Sequence, residues 1–127
     1  MDKATLVAAD FAAGAKLLEA LDQSDLAISV ALWLNSPEYE DWRLVLASRR
    51  LDTADPPGAY GMVHDALEQA GFLLEHTPPL LILRMTDPFI KALRQIFGKA
   101  KSVEGMRLGG QMIGDRFVQD ALVHRIR

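Results

Sequence analysis

The sequence predicts an α+β fold, with residues 1–127 forming one domain of three helices and a mixed sheet of about five strands. The chain has 127 residues and half of them are apolar, which suits a domain with one core. Helix-like and strand-like apolar patterns follow one another in the order α-β-β-α-β-α-β-β. Proline and glycine clusters separate these patterns, as they do at turns.

The first predicted element is a helix over residues 4–22, because apolar residues recur there at spacings of three and four. Gly14 lies in this apolar stripe, where it lowers helix propensity but lets another element approach closely. The other members of the stripe are Val7, Phe11, Leu17, Leu18 and Leu21.

A hairpin is predicted next, with strands over residues 27–34 and 42–48. The first segment is rich in strand-forming residues and apolar residues alternate in the second, which is typical of strands. A helix over residues 25–34 is the alternative for the first segment. The tip between the two strands is acidic and carries Glu38, Glu40 and Asp41.

Two further helices are predicted to begin at Asp-Pro sequences. Asp55 would cap a helix over residues 57–70, and Asp87 would cap a helix that Gly98 ends. Between them, residues 80–85 are nearly all apolar and follow two prolines, which indicates a central strand covered on both faces. The buried face of the later helix is predicted to hold Phe89, Leu93, Ile96 and Phe97.

A second hairpin is predicted at the end of the chain, with strands over residues 103–112 and 117–126. Gly114 would take the first central position of a type II′ turn. The second segment also admits an amphipathic helix, because Val118, Leu122 and Ile126 recur every four residues.

The connections between these elements predict a mixed sheet. Both hairpins must be antiparallel. The connections over residues 48–80 and 86–103 each contain a helix, so that a parallel crossover is possible in either place.

The charges divide the chain into an acidic front and a basic back. Residues 1–79 carry 13 acidic and 5 basic side chains, whereas residues 80–127 carry 4 and 9. Such asymmetry concerns partners rather than fold. We expect a non-enzymatic protein-interaction module whose acidic and basic surfaces meet reciprocally about the two-fold axis of a homodimer. The candidate contact residues are Glu38, Glu40, Asp41, Lys91, Arg94, Lys99 and Lys101.

The sequence lacks the residues of several classes of site. There are no cysteines, which excludes disulfides and thiolate chemistry and fits the cytoplasm. The histidines lack the spacing of paired metal ligands, and no phosphate-binding glycine loop or serine-hydrolase sequence is present. We therefore expect no metal and no cofactor. We also expect no membrane association, because no apolar run approaches the roughly 20 residues of a span and no secretory signal begins the chain.

Two alternative functions stay open. A hydrolase-type enzyme would need a site of carboxylate and histidine side chains, for which Asp41, Arg43, Asp120 and His124 are the candidates. A weak nucleic-acid binder would use the basic C-terminal half to displace counterions from phosphates. The net charge of −3 and the lack of aromatic residues between the cations argue against nucleic acid.

Overall fold

The structure, a computed structural model, describes residue 6 and residues 8–127. The predicted start of the first helix at residue 4, and Val7 on its apolar stripe, lie outside the described residues. Two short 3-10 helices, Leu51–Thr53 and Leu74–His76, accompany the main elements. These main elements are α1 Ala8–Asp22, β1 Val30–Asn35, β2 Arg43–Ala47, α2 Pro56–Gln69, β3 Leu80–Ile82, α3 Pro88–Phe97, β4 Arg107–Ile113 and β5 Arg116–Ile126.

The five strands form one mixed sheet in the order β3-β2-β1-β5-β4. Strands β2 and β3 are parallel, and the other neighbouring pairs are antiparallel. The predicted α+β class and element order are therefore confirmed. Of the two possible parallel crossovers, only the one through α2 joins neighbouring strands, because β3 and β4 lie at opposite edges and run in opposite directions.

The sheet separates two apolar cores. Ala31 and Trp33 of β1 belong to the core that includes α1 and α2, on what we call the α1/α2 face. Leu32 and Leu34 belong to the core that includes α3, on the α3 face. Successive side chains of a strand point to opposite faces, so this central strand is buried by helices on both sides.

The helix starts follow the predicted capping chemistry. The carboxylate of Asp55 accepts a hydrogen bond from the Gly58 N–H at 2.9 Å, ahead of α2. The carboxylate of Asp87 accepts one from the Phe89 N–H at 2.9 Å, ahead of α3. Each aspartate satisfies a backbone donor that the first helical turn leaves free.

The apolar segment at residues 80–85 was predicted to be a central strand, and this prediction is wrong. The segment supplies only a three-residue strand, β3, at one edge of the sheet. Leu80 and Ile82 join the α1/α2 core, and Leu81 packs against the α3 core. The apolar run therefore reflects helices covering both faces, which periodicity alone cannot distinguish from a central position.

The last hairpin is formed by strands, so that residues 117–126 are not helical. Gly114 has φ +63° and Asp115 has no positive φ, which agrees with a type II′ turn. A Cβ on Gly114 would lie 2.5 Å from the Pro88 carbonyl oxygen, so the turn packs on the first turn of α3. Ile90, near the start of α3, is buried. Ile96, near the end of the same helix, was predicted to be buried but is 62% exposed.

The side-chain alternation of the last hairpin changes phase at Gly110. Leu108 and Ile113, which are five residues apart, both belong to the α3 core. An odd separation would place them on opposite faces of a regular strand. Gly110 between them has φ +67°, a conformation that glycine adopts without strain.

The helices in the described part of the chain are too short or too polar for any of them to span a membrane.

Candidate functional site

A cleft of about 330 Å³ lies between the loop that follows α3 and the end of β5. Leu18 of α1, Val103 and Ile126 contribute apolar walls, and Lys101, Glu104 and Arg127 contribute charges. The remaining lining residues are Gly98, Ala100, Ser102, His124 and Arg125. The cleft is thus apolar in part and carries more basic than acidic side chains.

The imidazole of His124 is almost fully buried where it meets α1. The residue is 6% exposed, and its ring stacks on Phe11 with centroids 4.1 Å apart. Burial lowers the pKa of His124 because it disfavours the charged ring; the Glu104 carboxylate opposes this effect and Arg125 adds to it. The neutral ring is therefore the form that suits this position.

Two buried ring nitrogens converge beside Gly14. Nε2 of His124 and Nε1 of Trp33 have no hydrogen-bond partner among the described residues. A Cβ on Gly14 would lie 2.6 Å from the first atom and 2.7 Å from the second. Glycine at this place on α1 therefore leaves the space that both rings need. The close approach of another element at Gly14, which the sequence predicted, is thus confirmed.

Arg125, which lines the cleft, is engaged in an ion pair with Asp22. Its two terminal nitrogens donate to the two carboxylate oxygens of Asp22, at 2.9 and 2.7 Å. The hydrogen bonds from Arg125 lower the pKa of Asp22, and the same bonds raise the pKa of Arg125. This two-pronged geometry fixes the end of α1 to β5 and neutralises the guanidinium.

The four residues named for a hydrolase do not share a pocket. Asp41 is exposed at the tip between β1 and β2. Arg43 lies over the ring of Tyr39, with 4.6 Å from Cζ to the ring centroid. Asp120 forms an ion pair with Arg107 at 3.2 Å, and His124 lines the cleft. Asp41, Arg43 and Asp120 are thus not among the residues that line the cleft beside His124.

The predicted acidic contact residues lie together at one end of the sheet. Glu38 forms an ion pair with Arg116 at 3.0 Å, which joins the tip to the β4–β5 turn. Glu40 and Asp41 follow it on the exposed tip, and Asp115 is exposed on that turn. We call Glu38, Glu40, Asp41 and Asp115 the acidic end.

The predicted basic contact residues lie mostly at the opposite end. The Nε of Arg94 donates to the Arg127 carbonyl oxygen at 2.6 Å, which joins the last turn of α3 to the end of β5. Lys99 and Lys101 follow in the loop that borders the cleft. We call Arg94, Lys99, Lys101 and Arg127 the basic end; Lys91 is exposed farther back on α3.

An exposed apolar pair, which the sequence analysis missed, lies on the last hairpin. Met112 is 61% exposed and Phe117 is 42% exposed, and the two residues are paired across β4 and β5. Neither belongs to the two cores. The predicted two-residue turn could have revealed this pair, because it fixes which residues face each other across the hairpin.

The two edges of the sheet differ in how their backbone groups are covered. At the β3 edge the Tyr60 hydroxyl accepts from the Ile82 N–H at 3.1 Å. Just beyond β3 the Asp52 carboxylate accepts from the Met85 N–H, also at 3.1 Å. At the other edge, the described residues place no strand beyond β4.

The described residues contain no group of three side chains suited to a metal ion. Comparison with protein families, with curated proteins and with solved structures finds no match to this chain.

Proposed function

We propose that this chain is a protein-interaction module that associates with a second copy of itself through β4. The observation that supports this function is the contrast between the two sheet edges. Side chains of Tyr60 and Asp52 accept backbone N–H groups at and beside β3. The seven residues of β4 have no such neighbour among the described residues, and a free edge is a template for another strand.

The side chains of β4 fit an antiparallel pairing with an identical strand. With the two-fold axis at Gln111, Met112 of one copy lies across from Gly110 of the other. Glycines leave room there for the approach of another chain, and covering Met112 removes apolar surface from water. Because the change of side-chain phase at Gly110 limits regular pairing to a few residues, we expect a weak, reversible dimer.

The charges at the two ends of β4 favour the same orientation. The strand runs from Arg107, on the side of the basic end, to Ile113 beside Asp115 of the acidic end. An antiparallel partner therefore brings opposite charges together twice, once on each side of the axis. Salt weakens such exposed pairs because it screens them over about 10 Å at 0.1 M.

Sedimentation equilibrium of Met112→Lys and Ile96→Lys tests the proposed surface. Both residues are exposed apolar residues of closely similar exposure, but only Met112 lies on β4. We expect wild type and Ile96→Lys to dimerise at low salt, and Met112→Lys to remain monomeric because its charge blocks edge pairing. A monomeric wild type, or equal dimerisation of both variants, contradicts the proposal.

Charge reversal tests the reciprocal orientation. Asp115→Lys and Lys101→Glu should each weaken the homodimer, because each places like charges on both sides of the axis. An equal mixture of the two variants should form a heterodimer in which every facing pair is again opposite. Sedimentation or light scattering of the mixture reports this recovery; a mixture no more dimeric than its components excludes the antiparallel arrangement.

A further inference from the structure

We infer that the cleft between the loop after α3 and the end of β5 binds a small organic anion by its phosphate or carboxylate group. This site is separate from the β4 edge, and its test does not depend on self-association.

The basic side chains at the cleft are unequal in their availability. Arg125 is already committed to Asp22 through two hydrogen bonds. Lys101 and the guanidinium of Arg127 are exposed and have no ion-pair partner among the described residues. The charge of Arg127 also helps to lower the pKa of Asp22, so Lys101 is the more available of the two cations. An oxyanion at the opening would therefore meet Lys101 first, with Arg127 and the Ser102 hydroxyl as further donors.

The single acid of the cleft does not cancel these cations. Glu104 lines the same cleft, and it forms no ion pair with Lys101 or Arg127 in the described structure. It acts instead on His124, where it opposes the lowering of the pKa. The lining thus keeps a positive excess that attracts an anion.

Part of the cleft lining suits a short apolar group. Leu18, Val103 and Ile126 are buried residues that line the cleft beside the neutral ring of His124. A volume of about 330 Å³ is at the small end of the range for ligand clefts, roughly 300–1,000 Å³. We therefore expect a compact molecule with one oxyanion group and a short hydrocarbon part.

Two carbonyl groups in the last turn of α3 already accept hydrogen bonds from the backbone. The Gly98 N–H donates to the Arg94 carbonyl at 2.8 Å, and the Ala100 N–H donates to the Phe97 carbonyl at 3.0 Å. Cations near a helix C-terminus also stabilise the helix. If Lys101 served only to stabilise the C-terminus of α3, its replacement would lower the stability of the protein and leave anion binding unchanged. The experiment below distinguishes this role from anion binding.

Amide chemical shifts measured during titration with inorganic phosphate, and separately with hexanoate, test the site. The Met112→Lys background keeps the protein monomeric, so that failure here is distinct from failure of the dimer. We expect saturable shifts at Ser102, Glu104 and His124 with at least one of the two probes. The probe that binds shows whether phosphate or carboxylate is preferred.

Lys101→Gln is compared with Lys91→Gln, which removes an exposed lysine outside the cleft. We expect the first variant to weaken binding by at least about tenfold, as for loss of a charge-assisted hydrogen bond, and the second to bind as before. Shifts that stay linear for both probes, or equal binding by the two variants, overturn the proposal. Loss of stability in Lys101→Gln with unchanged binding also overturns it and leaves only the helix-end role.

Discussion

At the scale of single residues, the position of Gly14 is the most constrained. Two rings from other elements approach this part of α1: His124, which stacks on Phe11 of the helix, and Trp33, whose Nε1 lies close to the same place as the His124 Nε2. The sequence predicted a close approach at Gly14 from its place in an apolar stripe. It could not predict which rings approach, because they come from β1 and β5, which are distant in the chain.

Gly14→Ala should destabilise the protein by about 1–3 kcal/mol, the cost of overpacking a filled site. This cost exceeds the gain of up to about 1 kcal/mol that alanine brings inside a helix. Gly61→Ala on α2 is the control, because a Cβ there meets nothing within 4 Å. Urea unfolding should show a lower midpoint for Gly14→Ala and an unchanged or higher one for Gly61→Ala; two equal midpoints would refute the packing argument.

His124 should make the protein less stable in mild acid. Its pKa is lowered in the fold from the ordinary value of 6.5, so the unfolded chain takes up a proton at a higher pH than the folded chain. The free energy of unfolding therefore falls as the pH drops through about 6.5, and the loss levels off below the folded pKa.

Unfolding curves at a series of pH values measure this loss. His124→Phe, which keeps a ring against Phe11 but does not titrate, should remove the part of the loss that begins as the pH falls through about 6.5. His64→Gln, at an exposed position on α2, should keep it. A pH dependence that His124→Phe leaves unchanged would mean that another group causes it.

At the scale of elements, local chemistry predicted more than position in the sheet. The caps Asp55 and Asp87 and the turn at Gly114 depend on a few adjacent residues, and all three predictions are confirmed. The edge position of β3 was not predictable from its residues. The place of β3 in the sheet depends on the crossover through α2, and the helices on both faces of the sheet make the segment as apolar as a central strand. The same holds for the change of phase at Gly110, which is a property of two paired strands.

The contact between the last hairpin and α3 should be sensitive to Gly114. Its positive φ disfavours alanine, and the added Cβ would lie 2.5 Å from the Pro88 carbonyl oxygen and 2.9 Å from the Phe89 nitrogen. Gly105 has φ +83° but open space around its Cβ position, so Gly105→Ala measures the backbone strain alone, about 1–3 kcal/mol.

Thermal or urea unfolding compares the two alanine variants. We expect Gly114→Ala to lose more stability than Gly105→Ala, and the difference reports the packing of the turn on α3. Equal losses would show that the turn does not depend on this contact.

At the scale of the whole molecule, the predicted acidic and basic contact residues lie mostly at opposite ends of the sheet, although Asp22 of the acidic front pairs with Arg125 beside the basic end. The turn at Gly114 touches the start of α3 and Arg94 in the last turn touches Arg127, so that the helix and β5 run together from the acidic end to the basic end. The macrodipole of α3 has its positive end toward the acidic residues, which favours this arrangement. Counting charges predicted the asymmetry, whereas the position of β4 at an edge that no described strand covers could be known only from the fold.

Disulfide formation by Gln111→Cys tests the proposed self-association most directly, because the natural chain has no cysteine. Gln111 is an exposed residue near the middle of β4, where an antiparallel dimer brings it close to its own copy. Gln95→Cys, an exposed position on α3, serves as the control. We expect Gln111→Cys to form a covalent dimer rapidly at low salt and slowly at about 1 M salt, while Gln95→Cys stays monomeric; equally slow reaction of both variants would contradict the account.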